Sequence, residues 1–263
     1  MLSVSHVSKT FFPGTVNERR ALVDVDLHLQ EGDFVTVIGS NGAGKSTVLN
    51  TIAGRIQQDS GTVTLDGADV SKLKEHQRAA QVGRVFQDPM AGTSPNLTIE
   101  ENLALADKRG AARGLALGVT RAKRTRFAEA LKVLELGLED RLKTKVGLLS
   151  GGQRQALSLL MATFSRPKVL LLDEHTAALD PQRAELVTRL TTKVVQEQQL
   201  TTLMVTHNMA QALQVGNRLI MMHEGRIILD VPEQEKAQLT PEDLLSEFAK
   251  IKGAALDDKT MLQ

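Results

Sequence analysis

The sequence predicts an α/β fold: a mostly parallel sheet covered by helices, with a helical lobe inserted into it. Three observations lead there. The runs "KVLLLDE" (168–174) and "TTLMVTH" (201–207) have the unbroken hydrophobicity of strands buried on both faces of a parallel sheet. Helical patterns alternate with such runs, as crossover connections require. From about Asp88 to Arg166 the pattern turns mostly helical, which marks the inserted lobe.

In chain order, short β-type runs cover 2–7, 23–29 and 62–65, bounded by Gly, Asp and Ser turns. Between the last two, "DFVTVIGSNGAGKSTVLNTIAG" reads as an apolar strand, a glycine loop and a helix. In the helical region Thr98 and Glu101 form a capping box, and Phe127, Ala130, Leu131 and Leu134 fall on one helix face. Between those helices Lys108, Arg109, Arg113, Arg121, Lys123, Arg124 and Arg126 face a single acid. Two readings stay open for this basic stretch: a solvated loop and helix face, or a contact with lipid headgroups or a partner. Late in the chain "RLIMMHEGRIILD" reads as a hairpin turning at Glu224 and Gly225, and "TPEDLLSEFAKI" as a terminal helix. The whole forms a single unit, with a core from 1–87 and 167–238, a helical subdomain over 88–166 and a C-terminal helix and tail over 239–263.

Composition narrows the function. Lys plus Arg number 32 against 31 Asp plus Glu, so no overall field draws the chain to nucleic acid or an anionic membrane. Cysteine is absent, which excludes thiolate metal sites and cysteine nucleophiles and agrees with a reducing compartment. Tyr and Trp are absent too, leaving little for base-stacking platforms. The opening "MLSVSHVSKT" lacks the pattern of a signal peptide, and no window reaches the roughly 18 to 20 apolar residues of a membrane span. A chain soluble by itself is expected.

The chemistry concentrates in a few motifs. "GSNGAGKST", comprising Gly39, Ser40, Asn41, Gly42, Ala43, Gly44, Lys45, Ser46 and Thr47, matches the P-loop pattern between a predicted strand and a predicted helix. Its glycines let backbone N–H groups and the helix N-terminus surround phosphates. Lys45 would reach the β- and γ-phosphates of a nucleotide, and the Ser46 hydroxyl would ligate Mg2+. At the end of "KVLLLDE", Asp173 would hold Mg2+ beside that loop, and the adjacent Glu174 would orient or deprotonate water. Asp180 before Pro181 reads as an N-cap. His207, at the end of "TTLMVTH", reaches the same sheet edge, whereas His6, His28, His76 and His223 have no such placement. "GLLSGGQRQA" (147–156) is a second phosphate-like nest with no lysine.

Taken in order, "GSNGAGKST", Gln87 in "VFQDP", "LSGGQ", "LLLDE", "ALD" and "VTH" resemble the ATP-binding cassette family over nearly the whole chain. The resemblance implies a P-loop NTPase core with an N-terminal antiparallel β subdomain and an inserted α-helical subdomain. It implies a head-to-tail dimer in which Ser150, Gly151, Gly152 and Gln153 contact the γ-phosphate held by the Lys45 of a second copy. Gln87 would sit at the hinge, sensing Mg2+ and water. Glu174 would be the catalytic carboxylate, His207 would contact the γ-phosphate, and Asp180 would touch the opposite subunit. An aromatic early in such chains stacks on adenine, and Phe11 is favoured over Phe12 from its distance after "VSK". One departure is His175, where the family usually has proline.

A separate ATPase chain resembles the bacterial uptake arrangement. The implied partners are a second ATPase subunit, an integral-membrane permease and, indirectly, an extracytoplasmic substrate-binding protein, with no nucleic acid. The implied location is the cytoplasmic face of the membrane, held by the permease, and the implied cargo a small solute such as an amino acid. Non-transport members act in DNA repair or translation. The long coiled-coil insertion of the former and the paired cassettes of the latter do not occur in this sequence.

Overall fold

A computed structural model describes residues 1–110 and 117–250; Arg113 of the basic stretch and the tail from Ile251 onward lie outside them. The chain opens with β1 (Leu2–Phe11) and β2 (Arg19–Leu29), an antiparallel pair. β3 (Phe34–Gly39) follows, then α1 (Lys45–Ile52), β4 (Ser60–Leu65), β5 (Ala68–Asp69), α2 (Glu75–Arg78) and β6 (Val82–Val85). Three helices come next, α3 (Ile99–Asp107), α4 (Arg121–Lys132) and α5 (Gly151–Thr163). The chain then returns to strands with β7 (Val169–Asp173), α6 (Pro181–Gln198), β8 (Thr201–Val205), α7 (Met209–Gln214), β9 (Arg218–His223), β10 (Arg226–Pro232) and α8 (Glu233–Lys236). Residues 241–250 form a last helix.

These strands make two sheets. An antiparallel sheet has the order β2-β1-β4-β5, and a larger one the order β10-β9-β3-β8-β7-β6. In the larger sheet β9, β3, β8, β7 and β6 run parallel, and β10 returns antiparallel through the turn at Glu224 and Gly225, both with positive φ. The apolar runs read from the sequence are the buried strands β7 and β8. β1 runs to Phe11 and β2 begins at Arg19, so both extend beyond the hydrophobic runs that announced them.

Alternation along the strands sends side chains into two cores. Val169 and Leu171 of β7 join Val35, Val37, Leu49 and Ile52 beneath the antiparallel sheet. Leu170 and Leu172 pack with Phe127, Leu131, Leu157 and Val194 on the helical side. Thr98 caps α3 through the expected box: Glu101 N–H donates to Thr98 Oγ1 at 3.3 Å, and Thr98 N–H donates to Glu101 Oε2 at 2.7 Å.

Part of the basic stretch is paired within the helical lobe. Lys123 and Arg126 both pair with Asp107 at 2.9 Å, Arg124 pairs with Glu100 at 2.6 Å, and the Arg126 guanidinium lies 4.7 Å from the centre of the Phe164 ring. These pairs tie α4 to α3 and to the end of α5, while Arg124 and Arg126 stay about half exposed, as on a solvated helix face. Under the other core, buried Arg78 donates to the carbonyls of Thr51, Ile52, Ser71 and Leu73, holding the C-terminal end of α1.

Candidate active site

The loop between β3 and α1 takes its shape from glycine. Gly44 has φ +102°, and a Cβ there would stand 2.5 Å from the Ala21 carbonyl oxygen; at Gly39 a Cβ would stand 2.3 Å from that of Met222. Within this loop Lys45 is buried, its Nζ donating to the carbonyls of Gly39 at 2.8 Å and Ser40 at 3.0 Å. Burial holds the Lys45 ammonium below the usual lysine pKa, although the charges of Glu174 and Asp173 pull the other way. Arg19, which sequence reasoning missed, donates from Nη2 to the Gly42 carbonyl at 2.9 Å. It stands at the polar start of β2, ahead of the apolar run, so hydrophobic periodicity gave no signal for it.

β7 and β8 bring the acids to this loop. Ser46 Oγ donates to Asp173 Oδ1 at 3.1 Å, and Arg84 Nη2 donates to Asp173 Oδ2 at 2.9 Å. Glu174 sits in the left-handed region at φ +48°, with its N–H bonded to the Val205 carbonyl at 3.0 Å, a backbone state that costs on the order of 1 kcal/mol or more. That turn aims the carboxylate at His207, whose Nε2 lies 2.5 Å from Glu174 Oε1. A cleft of about 350 Å3 is lined by Arg19, residues 41–47, Glu174 and His207. Donors of the loop, a buried ammonium and a carboxylate–imidazole pair thus face one space, which suits a polyphosphate and a water held against it.

The other expected residues lie outside this cleft. Ser150 caps α5 reciprocally with Gln153, and the helix begins with Gly151 and Gly152. A Cβ on Gly151 would stand 3.3 Å from Leu179, and one on Gly152 would stand 3.4 Å from Arg183, so the N-terminus of α5 rests on the turn before α6 and on the first turn of α6. Asp180 caps α6, accepting from Arg183 N–H at 3.1 Å. Gln87 is exposed, two residues beyond β6; the carbonyl before it, of Phe86, accepts from Gln155 Nε2 on α5 at 3.0 Å. Phe11 is half-buried at the end of β1, cross-strand from Arg19, with the Lys9 ammonium 5.9 Å from its ring centre. Phe12 is exposed at φ +52°.

His175 points away from the cleft. Its ring is 1 % exposed, and Nε2 meets Thr191 Oγ1 at 3.0 Å. Because the Thr191 hydroxyl donates to the Val187 carbonyl at 2.8 Å, the imidazole N–H must be on Nε2, leaving buried Nδ1 without a partner. Burial pushes the ring's pKa down to about 4.

Chemically, the donor set fits a small hard cation: a hydroxyl and a carboxylate in contact, both oxygen ligands, at the mouth of a phosphate-shaped loop. A match to the ABC transporter family spans residues 22–177, from the middle of β2 to the turn after Glu174. The chain belongs to the ABC transporter family.

Relatives of this ABC transporter chain include the tyrosine transport ATP-binding protein of Clostridioides difficile, 47 % identical over 249 residues, covering 94 % of this chain and 98 % of that one. Another is the spermidine/putrescine import ATP-binding protein PotA of Thermobifida fusca, 36 % identical over 226 residues, covering 86 % of this chain and 56 % of that one. Among solved structures, a dimeric ATP-binding cassette in a post-hydrolysis state with ADP and Pi is similar with a TM-score of 0.75 and 32 % identity, over 89 % of this chain and 99 % of that one. As a member of this family the chain is an ATP-binding subunit and an ATPase coupled to transport.

Proposed function

We propose that this ATPase energises a bacterial importer of a small solute, closing head to tail with a second copy on two ATP molecules. The observation that carries the reading is the division of the functional residues. Lys45, Ser46, Glu174 and His207 line one cleft and Asp173 bonds Ser46 at its wall, while Ser150, Gly151, Gly152 and Gln153 stand at the start of α5, outside it. A nest of donors at a helix start with no cation of its own is completed by a phosphate that another subunit holds.

In this reading Lys45 and the loop N–H groups bind the phosphates, and Phe11 stacks on adenine. Glu174 accepts the proton of the attacking water while His207 fixes the carboxylate and the γ-phosphate. Mg2+ would be held by Ser46, Asp173 and Gln87 and would offset phosphate charge. Asp180 meets the opposite subunit. The helical lobe, joined to the Gln87 segment through Gln155, carries the motion to an integral-membrane permease. An extracytoplasmic binding protein supplies cargo, and the chain works at the cytoplasmic face of the membrane; no described helix is long and apolar enough to cross it. Similarity to the tyrosine transport protein supports an amino acid, aromatic in character, as cargo.

The test is Glu174→Gln in the full transporter. Steady-state hydrolysis is expected to fall by about 100-fold or more, with ATP retained and the dimer trapped. Hydrolysis of Mg-ATP at the wild-type rate would falsify the assignment of the base.

A further inference from the structure

Arg84 is a charged side chain that neither the motifs nor the proposed mechanism use, yet it is bonded to Asp173 beside the cleft. It lies on β6, beside β7, and its side chain is 9 % exposed. Nη2 donates to Asp173 Oδ2 at 2.9 Å, Nη1 donates to Asn50 Oδ1 at 2.7 Å, and the guanidinium lies 4.6 Å from the centre of the Phe86 ring. Asn50 is one helical turn beyond Ser46 on α1, so one planar group spans the phosphate-loop helix and the strand that ends in Asp173. With Oδ2 committed to Arg84, only Oδ1, shared with Ser46, faces the phosphate loop.

A strand-end carboxylate in contact with a hydroxyl, as Asp173 is with Ser46, offers oxygen ligands to a divalent cation even without phosphate. A dication approaching Asp173 here also meets a fixed positive charge within a few ångströms, in surroundings that screen poorly. We infer that Arg84 is a positioning residue that keeps Asp173 from taking a divalent cation before nucleotide is bound, so that the metal enters only with its polyphosphate. The phosphates supply the further negative charge and oxygen ligands that outweigh Arg84. The inference rests on the proposed role of Asp173 toward Mg2+.

The experiment is titration of the full-length chain with Mn2+, reading free Mn2+ by electron paramagnetic resonance without nucleotide and, with ATP, the change in the bound-Mn2+ spectrum against Mn-ATP without protein. Without nucleotide, Arg84→Met is expected to bind Mn2+ at least about tenfold more tightly than wild type, while Arg84→Lys, which keeps the charge, stays near wild type. Adding Asp173→Asn to Arg84→Met should abolish the gain. Binding of ATP in EDTA, unchanged in Arg84→Met, shows that the loop is intact; Arg84→Gln replaces it if the methionine variant does not fold. Equal Mn2+ affinity of wild type and Arg84→Met without nucleotide overturns the inference, as does a gain that survives Asp173→Asn. Should wild type fail to bind Mn2+ even with ATP, it is the proposed metal role of Asp173 that falls.

Discussion

Moving the protein from neutral to acidic solution tests the burial of His175 directly. The ring is enclosed, its Nε2–H is spent on Thr191 and its Nδ1 has no acceptor to share a proton with, so the folded state refuses protonation until about pH 4, against an ordinary value of 6.5. Above pH 6.5 the imidazole is neutral in both states and imposes no penalty. As pH falls below 6.5 the unfolded chain takes up a proton that the folded chain does not, and stability drops until the folded ring titrates as well, near pH 4. At about 1.4 kcal/mol for each pH unit between the two values, the loss reaches about 3 kcal/mol at pH 4. Urea unfolding of wild type and His175→Gln across this range isolates the effect, since other titrating groups are common to both and glutamine can still donate to Thr191. The stability difference between the two is expected to shift by about 3 kcal/mol in favour of the variant on going from neutral pH to pH 4. Parallel pH curves would refute the placement of the ring.

Two further changes probe other joints. Arg78→Met leaves the carbonyls of Thr51, Ile52, Ser71 and Leu73 without their donor and should lower unfolding free energy by ~2–4 kcal/mol, measured by denaturant titration. Ser150→Arg removes an N-cap worth ~1 kcal/mol and sets a long side chain where the proposed partner's phosphate docks. Nucleotide binding by the monomer should persist while ATP-dependent dimerisation, followed by size-exclusion chromatography, is lost; loss of binding in the monomer instead would count against a nest shared between subunits.

Much of this was legible in the sequence because the informative residues are constrained locally. Gly39, Gly42 and Gly44 are spaced for a loop whose backbone needs positive φ, and the apolar runs of β7 and β8 carry Asp173 and His207 to their ends by strand direction alone. Capping residues Thr98 and Asp180 announced their helices through short-range hydrogen bonds. What stayed hidden depends on tertiary contact. Arg19 and Arg84 reach the site from strands about 20 and 90 residues from their partners in sequence, and nothing in their neighbours distinguishes them from surface cations. The pairing of the α4 cations also stayed hidden, because Glu100 and Asp107, which meet them, lie on another helix. Nor can a sequence aim a ring: His175 follows Glu174 directly, yet the positive φ of Glu174 turns the carboxylate into the cleft while the imidazole packs beneath α6.

That the start of α5 rests on Leu179 and Arg183, outside its own phosphate cleft, has a genetic corollary. Under the proposed head-to-tail pairing each composite site takes Glu174 from one chain and Ser150 from the other. In a mixed dimer, Ser150→Arg on one chain and Glu174→Gln on the other gather both lesions in a single site and spare its twin. Placed together on one chain, the same two lesions disable both sites. Tandem-linked subunits carrying the two arrangements would therefore differ in activity with identical composition, a cis–trans test in which the allele's location alone decides the outcome.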